Sequence, residues 1–411
     1  MHVVIVGGGQ AAQQTIASLR QGGFDGRLTL VGDEPVLPYQ RPPLSKAYML
    51  GELPAERLPL RPEPWYTERR VDLLLGRRVT AIDRSARRVQ LDDGGALAYD
   101  RLVLATGARP RPLPVPVAAP DAVFDLRSLA DVEGIRAGLK PGRRLVIVGG
   151  GYIGLEAAAV AHSLGLDVTV LERAERLLAR VASPTLSEFY RQQHSRRGVA
   201  IRTGAQLTAV EAGGDGGLVT PVLASGERLA ADLVLTGIGI LPNAEMAAEA
   251  GLDVAEGIVV DRDARTSDPL IFAAGDCTRR PLVHHGGHGR LESVHNAVEQ
   301  GKLAAAAILG QPRPGEDCPW FWSDQYDLKL QIAGLAAGSD HTVVRGEPEA
   351  GRFALFYFAG DRLRAVEAVN SAPEFLAAKK LIPAGARLDA TAVADTSVKM
   401  RDLAAAALAA A

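Results

Sequence analysis

With 411 residues the chain is too long for one ordinary hydrophobic core, so two or three domains are expected. Hydrophobic residues make up 47% and charged residues 23%, the balance of a globular protein, and the formal charge of −2 excludes the basic excess of a nucleic-acid binder while leaving room for a local basic patch. No stretch reaches the roughly 18 apolar residues that span a bilayer, and the chain opens on a strand-like run without a charged leader and cleavage site, so a cytoplasmic location is expected.

The first element is the run Val3-Val4-Ile5-Val6, which enters a glycine-rich turn, Gly7-x-Gly9-x-x-Ala12, followed by an Ala-rich helical stretch. Gly7 permits the tight turn, Gly9 lets a pyrophosphate approach the backbone, and Ala12 keeps the helix close to the strand. Free amides at the helix start then face the phosphate charge. The next strand, Leu28–Val31, ends in Gly32-Asp33-Glu34, and Asp33 or Glu34 is the expected ribose ligand.

The pattern then repeats. Leu145-Val146-Ile147-Val148 enters Gly149-x-Gly151-x-x-Gly154, a complete fingerprint, and strand Val168–Leu171 ends in Glu172. A carboxylate there binds ribose hydroxyls and repels a 2′-phosphate, so NADH is expected over NADPH, although the neighbouring Arg173 works in the opposite direction. Arg101–Gly107 and Asp232–Gly237 echo each other as well. The Pro-rich segment Arg109–Pro120 reads as a linker out of the first unit, and a second crossing is expected at Gly237–Pro242. A helix is expected over Ser293–Leu309. From about Cys318 onward, runs at Leu328–Ala333, His341–Val344, Phe353–Phe358 and Leu363–Val369 suggest a small α+β domain. His284, His285 and His288 lie in a Gly-rich stretch without interleaved acids or thiols, which reads as a loop and not a metal site.

The two cysteines, Cys277 and Cys318, are too far apart in sequence for a C-x-x-C relay and too few for an iron–sulfur cluster, which takes about four protein ligands. Redox work therefore needs bound organic cofactors. Two dinucleotide sites without a redox disulfide suggest one tightly held flavin and one exchanging nicotinamide.

Five further segments occur in order: Pro38–Lys46, Ala105-Thr106-Gly107, Gly149–Glu156, Ala274–Cys277 and Trp320–Gln325. Together they resemble the FAD-dependent ferredoxin reductases of bacterial oxygenase systems, over essentially the whole chain. The resemblance implies an α/β fold with two Rossmann-like units, a discontinuous FAD domain (1–109 and 237–317), an NAD domain (110–236) and a C-terminal α+β domain (318–411). It implies FAD contacts at Ala11, Asp33, Arg41, Lys46, Val79, Ala105, Thr106, Gly107, Arg127, Asp276, Val294 and Trp322, beside the turn residues Gly7, Gly9 and Ala12. For NADH it adds Tyr152, Ile153, Glu156 and Gly239 to Gly149, Gly151, Gly154 and Glu172. Lys46 and Glu156 are the implied catalytic ion pair beside the flavin ring.

The expected partner is an acidic [2Fe–2S] ferredoxin serving a monooxygenase, docked transiently on Arg290, Arg313 and Lys329. Two other readings stay open: a reductase for rubredoxin or for a Rieske-type ferredoxin of a dioxygenase, and a redox-dependent interaction protein like apoptosis-inducing factor. His295 stands beside the expected flavin site where relatives often carry proline, serine or tryptophan.

Overall fold

The computed structural model describes residues 1–214 and 216–410; Asp215, within the expected NAD domain, and Ala411, the last residue of the expected C-terminal domain, lie outside it. The β-branched run His2–Val6 becomes the central strand of a five-stranded parallel sheet. Arg27–Gly32 and Val71–Leu75 lie on one side of it, Arg101–Leu104 and Ile271–Ala273 on the other. Val3, Val4 and Ile5 are fully buried, as a parallel sheet covered on both faces requires. Helices Gln10–Gln21 and Val294–Leu309 cross closely over one face: a Cβ on Gly301 would lie 3.0 Å from the Ala11 carbonyl oxygen.

A second parallel sheet repeats the first. Its order is Ala200–Arg202, Asp167–Leu171, Arg144–Val148, Leu233–Thr236 and Val123–Phe124. Equivalent strands keep equivalent registers: Val3 pairs with Leu28 as Leu145 pairs with Val168. The turns also match. Gly7 N–H donates to Val31 O at 2.7 Å, and Gly149 N–H to Leu171 O at 2.8 Å. Their φ angles are 115° and 113°, and in both cases a Cβ would collide with the facing carbonyl oxygen, of Ala105 at 2.1 Å or Gly237 at 2.4 Å. Only glycine satisfies both demands at once.

Each sheet takes its fifth strand from beyond its own run of βα units, Ile271–Ala273 in the first and Val123–Phe124 in the second. The two crossings between the sheets, Ala108–Pro110 and Ile240–Pro242, pair with each other antiparallel, with Leu241 opposite Arg109.

The third sheet is antiparallel, in the order Trp320–Gln325, Leu328–Gly334, Arg362–Val369, Arg352–Ala359 and His341–Glu347, with helix Ala372–Leu381 packed on it. Buried Arg345 ties the last segments down. It pairs with Glu374 at 3.1 Å and donates to the carbonyls of Val393, Asp395 and Val398 at 2.7–2.9 Å. No helix among the described residues is long and apolar enough to cross a membrane.

The antiparallel sheet meets the second parallel unit at a buried carboxyl. Glu367 accepts from Tyr357 Oη at 2.5 Å and from Ser183 Oγ at 3.3 Å, while Ser183 also caps helix Pro184–Arg196. Burial raises the Glu367 carboxyl from 4.5 to about 7, against the opposing pull of those two hydroxyls.

Two outcomes are expected. Gly154→Ala would place a Cβ 2.1 Å from Gly149 O, whereas Gly8→Ala meets nothing nearer than 3.9 Å. Urea unfolding should show the first destabilised by about 1–3 kcal/mol and the second changed by less than about 0.5 kcal/mol. For Glu367, the folded chain keeps a proton that the unfolded chain has already lost between 4.5 and about 7, so this group's contribution to stability falls as pH rises through that window. Glu367→Gln should therefore gain on the parent protein, by about 3 kcal/mol in unfolding free energy between about pH 5 and pH 8. A constant difference across that range would refute the assignment.

Candidate functional site

Both glycine-rich turns end in helices whose first amides are left free. Gly9 and Gly151 are the N-caps, neither helix has a side-chain cap, and neither has an acid in its first turn. A Cβ on Gly9 would meet nothing within 4 Å and one on Gly151 only Gly237 O at 4.0 Å, so open space faces the free amides. This is the donor set and the room that a dinucleotide pyrophosphate needs. Ala12 is fully buried in the first helix, where the second copy has Gly154.

The acids after the second strands differ. Glu172 accepts from Gly150 N–H at 2.8 Å and Ala174 N–H at 2.7 Å, which holds its carboxylate beside the second turn. Arg173 beside it is exposed. Asp33 is exposed and paired with Arg78 at 3.5 Å. Glu34 turns the other way, accepting from Tyr39 Oη at 2.6 Å and Arg41 Nη2 at 2.5 Å.

Around the first turn, Ala105 supplies the carbonyl against Gly7, and Thr106 exchanges hydrogen bonds with Asn243 at 2.7 and 2.9 Å. Gly107 has a φ of 62° and faces Arg127. Arg127 pairs with Asp276 at 2.9 Å, and its carbonyl accepts from Arg41 at 2.8 Å, so Arg41, Arg127 and Asp276 form one cluster. Ala11 lies against Gly275, Val79 belongs to the core under the sheet, and Val294 opens its helix after Ser293, which caps it through Asn296 N–H. In the second unit, Ile153 presents an apolar side chain that is 43% exposed, and Gly239, with a φ of 102°, faces Arg180.

Lys46 and Glu156, 110 residues apart, meet at 2.6 Å. Glu156 is 1% exposed and Lys46 keeps part of its surface. Sequence reasoning missed the rest of this carboxylate's shell: Ser45 Oγ donates to Oε2 at 2.5 Å and Ser323 Oγ to Oε1 at 2.7 Å. The signal available was a serine inside two of the quoted segments, Pro38–Lys46 and Trp320–Gln325, which spacing alone does not distinguish from an ordinary polar residue.

The rings of Trp320 and Trp322 lie 5.5 Å apart between centroids, tilted by 36°, and the Lys379 ammonium sits 5.1 Å from the Trp320 ring. His295 lies 5.7 Å from the same ring and 3.8 Å from the Asp317 carboxylate, with burial lowering its basicity. Tyr152 packs on Phe321 at 4.9 Å. The three expected docking cations are not equivalent. Arg290 is paired with Glu292 and Arg313 with Asp263, while Lys329 is exposed and has no ion-pair partner among the described residues. Of the loop histidines, His284 meets Glu316 O at 3.1 Å, His285 is pushed down to about 4 by burial, and His288 lies on a short strand.

Both cysteines are free and buried. Burial raises both thiols, Cys318 to about 12, so neither is held as the thiolate that disulfide exchange requires.

The sequence pattern of the pyridine nucleotide-disulphide oxidoreductases matches residues 1–301, and that of the reductase C-terminal domain matches residues 320–404. The chain belongs to the pyridine nucleotide-disulphide oxidoreductase family. Within it, the chain is 46% identical to putidaredoxin reductase CamA of Pseudomonas putida, over 99% of this chain and 97% of that one. It is 45% identical to rhodocoxin reductase of Rhodococcus erythropolis, over 98% and 94%. The fold superposes on the reductase in a crystal structure of the covalent putidaredoxin reductase–putidaredoxin complex with a TM-score of 0.96, covering 99% of this chain and 98% of that one.

The Lys46–Glu156 pair lends itself to a double-mutant cycle. Glu156→Leu alone leaves a cation uncompensated, and Lys46→Met alone leaves a buried carboxylate short of its counter-charge. Each should cost about 3 kcal/mol in urea unfolding, and the double variant clearly less than the sum. Additive losses would show that the two charges do not support each other.

Proposed function

We propose that the protein is an NADH:ferredoxin oxidoreductase, taking a hydride from NADH and delivering electrons one at a time to an acidic [2Fe–2S] ferredoxin that serves a monooxygenase. Bound FAD, held on the first turn, supplies the conversion between two-electron and one-electron transfer. The observation that carries this reading is the Lys46–Glu156 pair, which joins the first unit to the helix of the second turn. Dinucleotides extended from the two turns would bring their ring ends to this shared cation. The proposed division into 1–109 with 237–317, 110–236 and 318–411 is supported by sheet membership.

The chain's residues have separable tasks in this reading. Lys46 favours added electron density beside it, and Glu156 limits what it costs to bury that cation. The amides at Gly9 and Gly151 hold pyrophosphate, and Glu172 takes ribose hydroxyls and disfavours a 2′-phosphate. The start of helix Val294–Leu309 adds a positive helix end. Trp320 and Trp322 line the proposed electron exit, and Lys329, with Arg290 and Arg313 once released from their carboxylates, steers the partner. The putidaredoxin reductase caught in complex with putidaredoxin supports a small redox protein as acceptor. Two buried, unpaired thiols suit a reducing compartment, so the cytoplasm is the proposed location.

The purified chain should carry FAD, be bleached faster by NADH than by NADPH, and reduce cytochrome c rapidly only when a [2Fe–2S] ferredoxin is added. Glu172→Ser should narrow the NADH preference by about tenfold, near 1.4 kcal/mol. Ferredoxin-linked turnover should fall steeply between about 0.01 and 0.5 M salt while NADH reduction of a small dye barely changes. A colourless protein that no flavin restores would sink the assignment; equal salt effects would remove the steering. Faster turnover with rubredoxin than with any [2Fe–2S] protein would replace the acceptor.

A further inference from the structure

The buried Glu156 carboxylate is the end of a longer hydrogen-bonded chain. Ser323, which donates to it, accepts from Gln325 Nε2 at 3.2 Å. Gln325 Oε1 lies 2.9 Å from His194 Nε2, and His194 Nδ1 lies 3.0 Å from the Tyr326 hydroxyl. Ser323 and Gln325 are two apart on one strand and so share a face, while His194 projects from helix Pro184–Arg196 in the second unit. Glu156, Ser323, Gln325 and His194 are each no more than 1% exposed, so water does not compete for these bonds.

The carboxylate fixes the direction of every bond. When ionised it can only accept, so the Ser323 proton points at Glu156 and Ser323 Oγ must itself accept. The NH2 of Gln325 therefore faces Ser323 and its carbonyl faces His194. That carbonyl needs a donor, so the imidazole carries its proton on Nε2. Nδ1 is then bare and accepts from Tyr326. All four donors point toward Glu156, and Ser45 and Lys46 donate from the opposite side. The imidazole is neutral: burial pushes His194 down to about 4, and Arg197 and His162 push the same way.

We propose that His194 is a positioning residue for the hydride-transfer site, whose Nε2-protonated form fixes the Gln325–Ser323 relay and so holds Glu156 turned toward Lys46. The inference rests on the reading of Lys46 and Glu156 as the pair beside the flavin. Without the Nε2 donor, the Gln325 amide is free to turn over, the Ser323 proton can follow it, and Oε1 of Glu156 loses a donor. A buried carboxylate short of a donor is free to turn away from the cation it faces. Lys46 then stands less compensated, and reduction of the neighbouring flavin becomes easier. Lys46 pairs with Glu156, Tyr190 lies near Glu156 and is itself faced by Asp324 and Glu367, and Arg197, His162 and Tyr326 surround His194.

The test uses the FAD-loaded full chain labelled with 15N-histidine. Eight histidines are present, and His194→Gln assigns the His194 resonances by difference. The expected spectrum has the proton on Nε2 and shows no protonation of His194 above about pH 5. Two variants then separate positioning from packing. His194→Phe removes both nitrogens and should shift the flavin midpoint potential upward. NADH reduction of the flavin should correspondingly speed up in the same variant, by about threefold. His194→Gln returns a donor near Nε2 and should restore most of both properties.

A proton on Nδ1, or a His194→Phe protein with parental potential and parental rate of NADH reduction, overturns the proposal. Should His194→Phe fail to fold, the tautomer of the parent and the potential of Gln325→Met decide in the same way. A chain that holds FAD but is not reduced by NADH fails the functional reading instead, while the tautomer spectrum still tests the relay.

Discussion

A single carboxylate, Glu156, makes the strongest demand in this molecule. A charge almost wholly removed from water needs nearly every lone pair satisfied, or it costs several kcal/mol. Lys46 and Ser45 come to it from the first parallel unit, Ser323 comes from the antiparallel sheet, and Glu156 itself rides on the second turn of the second unit's helix. No one part of the chain can meet this demand alone. Correct assembly of all three is therefore the condition under which this side chain is stable as an anion, and a misdocked arrangement is penalised by the same interaction that rewards the native one.

The two parallel units solve the same backbone problem in the same way. Matching strand registers, matching turn hydrogen bonds and matching left-handed glycines at Gly7 and Gly149 leave two helix starts with unused amides. They part company at the acid that follows. Glu172 is tied by two backbone amides to the second turn, while Asp33 stands out at the surface with Arg78 and Glu34 folds back on Tyr39 and Arg41. The same fold element thus carries a pre-oriented acid in one copy and a freely exposed one in the other.

Much of this was legible in the sequence because it is local. Runs such as Val3–Val6 and Leu145–Val148, the glycine spacings and the turn-separated strands after Cys318 each carry their signal within about ten residues. Strand Val123–Phe124 was not read, because a piece of two residues has no periodicity and owes its place to the sheet edge that accepts it. The shell of Glu156 was invisible for a related reason: its contacts join residues 110 to 167 positions apart. The state of Arg290 and Arg313 escaped too, since a lone arginine in sequence says nothing of the carboxylate that neutralises it.

The short ribbon formed by Ala108–Pro110 and Ile240–Pro242 gives the molecule a modular grammar. Because the chain leaves the first sheet and returns to it on adjacent strands, the whole intervening segment hangs from one two-stranded stem. The stem fixes where that segment joins the chain, while Glu156, Ser183 and His194 fix how it sits against the other two sheets. Continuity of the chain and orientation of the unit are therefore set by different residues.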